Sequence, residues 1–371
     1  MKKRAIAARM VPKTRRNGKI DLLRFVYCVA VIILHIEGAL YDGMKSWGIF
    51  SLAHRGYIGV EFFFLVSGWL LAKKLASLDH VPCESDSLGG ETYRFLWNKL
   101  RPIIPYHIIF CICMLGLWAV CYSGKTLLNI FAVRFPSIFF LHRIGIGGAT
   151  PKDVLGIEWY IFSMLLSMSF LYPLGRRFGK TFRCLAPITG MLICGWLIIK
   201  TGCLGDAYQV LGVTYKCNWR ALGELLMGMG CYEATCALNK KEFTKLGRAG
   251  LAALEMVCHL SVLYYAFGIM SEQFDMYALC LLAVGITISF SNQGVAAGSR
   301  IFNNDLCSWL GKVSMPIYLA QAPWLAFLPV FWKNGTNRQL IATILLGSVF
   351  TGIFTQVIVE WIGKCRTQKE K

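Results

Sequence analysis

The chain has 371 residues, of which 56% are hydrophobic and only 16% charged, and its mean hydropathy is +0.53. A soluble globular chain carries about 25% charged residues, and the longest polar stretch here, residues 75–100, is too short to bury a core of its own; a soluble domain on a single anchor is therefore excluded. The net charge of +19 comes from 39 Lys and Arg against 20 Asp and Glu, and it sits in short loops and at the ends, where the positive-inside rule accounts for it without a nucleic-acid partner.

The expected fold is all-α, a polytopic transmembrane bundle of about ten helices. Residues 1–19 form a basic cytoplasmic segment, MKKRAIAARMVPKTRRNGK. It resembles a signal n-region, but the apolar run that follows is long, carries Arg24 and His35 and lacks a small-residue cleavage site, so a retained first span is expected. That span, residues 20–40, holds ionisable groups where lipid disfavours them, so they are expected to face protein or a wet cavity. Eleven residues separate Arg24 from His35. Eleven helical steps of about 100° return to within roughly 20° of the same face, roughly 16 Å further along. A cation at the rim and an imidazole deeper in suit a substrate path; a snorkelling Arg and a structural His are the alternative.

The second span covers residues 57–72 and closes at Lys73 and Lys74; it contains Glu61 and Ser67. After the polar loop come a third span over 102–122, with Pro102 and Pro105 in its first turn, and an outer stretch, 123–155, whose apolar middle is interrupted by Arg134 and Pro136. An interfacial or re-entrant segment is expected there. Further spans fall at 158–174, 185–199, 218–238, 249–270, 276–291, 309–331 and 339–362, and a basic tail occupies 363–371. Lys and Arg concentrate in the segments this threading puts inside, which places both termini in the cytoplasm. The inverted repeat of many transporters is not visible. None of the fifteen Cys forms a CxxC pair, so no metal is expected; Cys203 and Cys217 share an outer loop in which a disulfide is conceivable.

Several polar groups sit in apolar surroundings. Glu61 lies at the level of His35 and is placed either to orient the imidazole or to pair with Arg55. Arg24, Lys99 and Arg101 cluster at the inner face, where a planar guanidinium suits phosphate; topological charge explains part of any such cluster. Trp159, Tyr160 and Ser163 begin the fourth span, where an interfacial aromatic belt is the plainer reading. Lys312, Ser314 and Tyr318 lie in the ninth, with Pro316 expected to break the helix beside a cavity. Arg220 and Glu224, one turn apart, are expected to pair.

In chain order, DLLRFVYCVAVIILH, GVEFFFLVSG, KLRPIIPY, EWYIFSMLLSMSFLYPL and LGKVSMPIYLAQ resemble successive segments of the acyltransferase-3 family of integral membrane acyltransferases, from Asp21 to Gln321. The resemblance implies an acyltransferase-3-like domain over 20–362. It also implies acyl transfer, commonly acetyl, from a cytoplasmic acyl-CoA donor to a hydroxyl acceptor, often an extracytoplasmic glycan, with no permanently bound cofactor. His35 matches the family's essential histidine and Arg24 its paired arginine. Arg101 matches one member of a paired basic motif, whereas Asn98 stands where the other is often found. Gln321 replaces the histidine that often closes the ninth-helix motif, so that position is expected to be dispensable. No esterase-like domain follows, so the membrane-only form is expected. The implied mechanism has His35 as general base, Glu61 orienting it, and Arg24, Lys99 and Arg101 on the donor's phosphates, with direct transfer rather than an acyl-enzyme. A transporter or flippase for a polar lipid or glycan is the alternative, and a structural or sensory membrane partner a third.

Overall fold

The computed structural model describes residues 17–39, 55–141, 143–144, 153–268, 271–295, 301–332 and 335–369. Among them the helices are α1 (Gly18–Ala39), α2 (Ile58–Ala76), α3 (Ser85–Leu100), α4 (Ile104–Cys121), α5 (Gly124–Ile138), α6 (Trp159–Thr201), α7 (Lys216–Asn239), α8 (Lys245–Phe267), α9 (Asp275–Phe290), α10 (Asp305–Phe331) and α11 (Asn337–Lys369). A two-stranded ribbon, β1 (Val210–Leu211) and β2 (Thr214–Tyr215), pairs Val210 with Tyr215 and Leu211 with Thr214 just before α7. The protein is thus nearly all-α, and every apolar segment read from the sequence is helical.

Among the described residues, five helical segments are long and apolar enough to cross a membrane: α4, α6, α8, α9 with its 3-10 lead-in from Glu272, and α11. The charge-bearing helices α1, α2 and α7 fall outside that set, yet these helices lie inside the bundle. α2 lies between α1 and α7, α7 packs along α6, and α1 packs along α10. The outer helices instead present apolar side chains to their surroundings, as at Ile112, Leu192, Leu260 and Phe350, the pattern of a lipid-facing surface.

Several details refine or differ from the sequence-based expectation. The polar loop after α2 folds into α3, whose Phe95 stacks on Tyr172 at 4.5 Å. The apolar middle of the 123–155 stretch forms a 15-residue helix, α5, that runs through Pro136. α10 continues through Pro316 without a break. The basic tail prolongs α11 as far as Lys369. α6 merges the fourth and fifth expected spans, divided at Gly179, where φ 55° and ψ −133° are accessible only to glycine. Cys203 and Cys217 are free thiols, and Lys216 Nζ lies 3.6 Å from Cys203 Sγ.

The division of α6 at Gly179 is anchored on both sides by arginines that the sequence presents only as topological charge. Arg176 donates to Glu91 at 2.9 Å and to the Leu78 carbonyl at 3.1 Å. Arg183 makes a bidentate pair with Asp79 at 2.8 and 2.7 Å and donates to Glu233 at 2.7 Å. The hydrogen bonds from Arg183 hold the Asp79 carboxyl below its ordinary range.

Candidate active site

A cavity of about 190 Å³ opens among α1, α2, α3, α6 and α10. Six residues singled out from the sequence line it: Arg24, Ser67, Lys99, Tyr160, Ser314 and Tyr318. Between them the wall is apolar and polarisable, with Phe63, Met164, Met168 and Met315. Arg24 brings its guanidinium within 3.8 Å of Asp21, one turn back on α1, and a third of its side chain stays exposed. Lys99 stands at the end of α3 with Nζ 5.7 Å above the Phe95 ring. Burial, and then the neighbouring charge of Arg24, lower the Lys99 ammonium below its ordinary range. Two cations thus share one cavity wall, an arrangement that an anion relieves.

Arg101 does not join them. Its side chain is exposed beyond the end of α3, and Lys312 is likewise exposed on the outer side of α10. Neither lines the cavity, because each follows or precedes by a few residues a neighbour whose helical phase does point inward.

His35 is half-buried further along α1. Its Nδ1 lies 2.9 Å from Oε1 of Gln321. Gln321 is fully buried and donates through Nε2 to the Tyr318 carbonyl at 2.8 Å. The Tyr318 ring lines the cavity, and its hydroxyl donates to the Ile157 carbonyl at 3.0 Å. One turn of α10 therefore links the cavity wall to the histidine. Gln321, expected to be dispensable, is the polar partner of His35. The available signal was a buried amide inside an apolar span, itself costly in lipid.

Glu61 serves a different group. It is fully buried and bonds Arg220, through a short contact to Nη2 and a 3.0 Å contact to Nε. Arg220 Nε also donates to Glu224 at 3.0 Å, the expected one-turn pair, and Nη2 donates to the Tyr57 carbonyl at 3.0 Å. Trp159 lies against this guanidinium, 5.6 Å from it. Both sequence-based readings of Glu61 are thereby corrected: it pairs neither with His35 nor with Arg55, whose partner is Glu272. Helical spacing made Arg55 a candidate, but α7 delivers a cation into the same layer that no local pattern could announce. Ser163, also away from the cavity, donates to Asn218 Oδ1 at 2.8 Å. Glu61, Trp159 and Ser163 thus hold α2, α6 and α7 together rather than line the cavity.

Fold and site together define a polytopic helical membrane protein whose interior holds a cavity with two cations on its wall and, nearby, a half-buried histidine paired with a buried amide. The chain belongs to the acyltransferase-3 family: the family described as "Acyltransferase domain" matches it over residues 17–359. Two proteins of Staphylococcus aureus, from strains MSSA476 and MRSA252, each named "Putative O-acetyltransferase", are 21% identical to it over 351 residues, a match covering 87% of this chain and 53% of theirs. The chain spans about half the length of the curated relatives it matches. No solved structure matches it.

Proposed function

We propose that the protein transfers an acyl group, acetyl in the simplest case, from cytoplasmic acyl-CoA to a hydroxyl of an extracytoplasmic acceptor such as a glycan. Family membership and the names of the relatives support the reaction class. The observation that carries the reading is the placement of Arg24, Lys99 and Tyr318 on the lining of one cavity, with the His35–Gln321 pair one helical turn beyond Tyr318 and behind that lining. Arg24 and Lys99 hold the donor's phosphates, Arg24 through its planar fork. The methionine-rich wall takes the thioester arm. His35 removes the proton of the acceptor hydroxyl as the oxygen attacks the thioester carbonyl. The ester C–O bond forms, the C–S bond breaks, and the coenzyme A thiolate leaves and takes the proton back from the imidazolium, so no acyl-enzyme is needed. In this reading ten spans put both termini in the cytoplasm of a cell-membrane protein.

The test is transfer of labelled acetyl from acetyl-CoA by protein reconstituted in nanodiscs, with His35→Gln as the decisive variant. Gln keeps hydrogen bonding but does not shuttle a proton near neutral pH, so the rate is expected to fall about 10²–10⁴-fold. A His35→Gln protein that transfers at the wild-type rate overturns the mechanism. A wild-type protein that moves an acceptor across the bilayer without acylating it overturns the enzyme reading in favour of a carrier.

A further inference from the structure

We infer that Gln321 is a positioning residue that fixes the tautomer of His35, leaving the Nε2 lone pair free. The inference deepens the proposed function and rests on His35 acting as the base. It begins with the orientation of an amide. The Tyr318 carbonyl only accepts, so the Gln321 group 2.8 Å from it is the NH₂. The opposite orientation would set two oxygens against each other in a fully buried position. The atom facing the imidazole at 2.9 Å is therefore Oε1. Oε1 has lone pairs and no hydrogen, so Nδ1 must supply the proton of that bond. A neutral imidazole carries one N–H, which leaves Nε2 as the basic nitrogen. Nε2 makes no hydrogen bond to any described residue, so its lone pair is the one left to accept from a hydroxyl.

The arrangement also explains why a glutamine satisfies this position. A histidine there would share the ambiguity of His35 itself, with two tautomers on each ring. The amide, anchored on a backbone carbonyl of its own helix, has one orientation. It imposes that orientation on α1 from α10 without adding a charge to the interior.

Two measurements test this. The first is ¹⁵N NMR of histidine-labelled protein in nanodiscs, with the His35 signals assigned by their loss in His35→Gln. The wild type is expected to show His35 with Nδ1 protonated and Nε2 bare. Gln321→Met, close in shape but without the amide, is expected to show a mixture of tautomers. The second is steady-state kinetics. Gln321→Met is expected to lose up to about 10²-fold in kcat, part of the roughly 10²–10⁴ that general-base catalysis supplies, with KM for acetyl-CoA unchanged, because the cations on the donor are untouched. Gln321→Glu, whose carboxyl in its protonated form donates to the Tyr318 carbonyl while its other oxygen accepts from Nδ1, is expected to keep the tautomer and part of kcat; should the Met variant fail to fold, a folded Gln321→Glu protein with Nε2 protonated overturns the inference. A wild-type spectrum with Nε2 protonated overturns the inference, as does a folded Gln321→Met protein with unchanged tautomer and kcat. Failure of the underlying reading looks different: His35→Gln would then transfer normally, whatever the tautomer spectrum shows.

Discussion

Gly68 of α2 and Gly228 of α7 face each other so closely that a methyl added to either would lie 3.0 Å from the Cα of the other. It would also lie 2.1 to 2.2 Å from a backbone carbonyl oxygen of the opposing helix, Leu225 or Leu65. Small residues let membrane helices approach in this way. Overpacking a core costs about 1–3 kcal/mol when side chains can adjust, and here the obstacle is backbone. Gly68→Ala and Gly228→Ala are each expected to destabilise at or beyond the top of that range, read as a lower Tm of the detergent-solubilised protein. An unchanged Tm in either variant would show that the two helices are further apart. The close crossing also gives a packing reason for the second glycine of the GVEFFFLVSG segment, Gly68.

Arg220 is expected to be indispensable for folding rather than for chemistry. It is the shared partner of two fully buried carboxylates, Glu61 and Glu224. Removing one member of a buried ion cluster costs about 3–5 kcal/mol, because the remaining charges stay buried without compensation. Arg220→Met is expected to abolish stable expression, and adding Glu61→Gln and Glu224→Gln to restore part of it. If Arg220→Met alone folds normally and loses only transfer activity, the cluster belongs to the catalytic apparatus.

Donor affinity is expected to depend on Arg24 and Lys99 and to fall as pH rises. Each charge-assisted bond to phosphate is worth about 1.5–3 kcal/mol, so Arg24→Ala is expected to weaken coenzyme A binding about tenfold to hundredfold, with Arg24→Lys recovering only part. The ammonium of Lys99 is the form that binds an anion, and its pKa is lowered in the free protein, by burial first and then by Arg24. The Lys99 contribution is therefore full well below its folded pKa and is lost as pH climbs through a value below lysine's usual 10.4 or so. Lys99→Arg is expected to move that loss to higher pH. Calorimetric titration with coenzyme A across pH checks it; a pH-independent affinity in the wild type would remove Lys99 from the donor site.

The junction of α2 with α6 is expected to loosen in acid. Arg183 holds the Asp79 carboxyl below its ordinary range through hydrogen bonds. A depressed carboxylate contributes stability that is complete above the unfolded value, about 3.9, and lost as pH falls through the lower folded value. Asp79→Asn is thus expected to lower Tm at neutral pH, and the difference from wild type to close at pH below that folded value. A gap that persists in strong acid would mean the contact works by packing, not charge.

Helical periodicity and the expense of charge in lipid made much of this protein legible from its residues. They locate the helices and put Arg24 and His35 on one face of α1, because a helix converts sequence distance directly into angle and rise. The same local rule paired Arg220 with Glu224. It does not reach between helices. Arg101 and Lys312 are as basic as Lys99, yet which cation turns toward the cavity depends on how α3 and α10 are rotated in the bundle. Glu61 met Arg220 rather than His35 because α7 packs against α2 at the Gly68–Gly228 crossing, 160 or so positions away in a chain whose local pattern offered Arg55. Gln321 found His35 because α10 runs unbroken past Pro316 alongside α1. The sequence by itself determined which segments are apolar and helical and which of their polar groups need shielding. Tertiary packing alone decided which group shields which, since the pairing of buried polar side chains is set by the relative rotation and depth of helices that share no local signal.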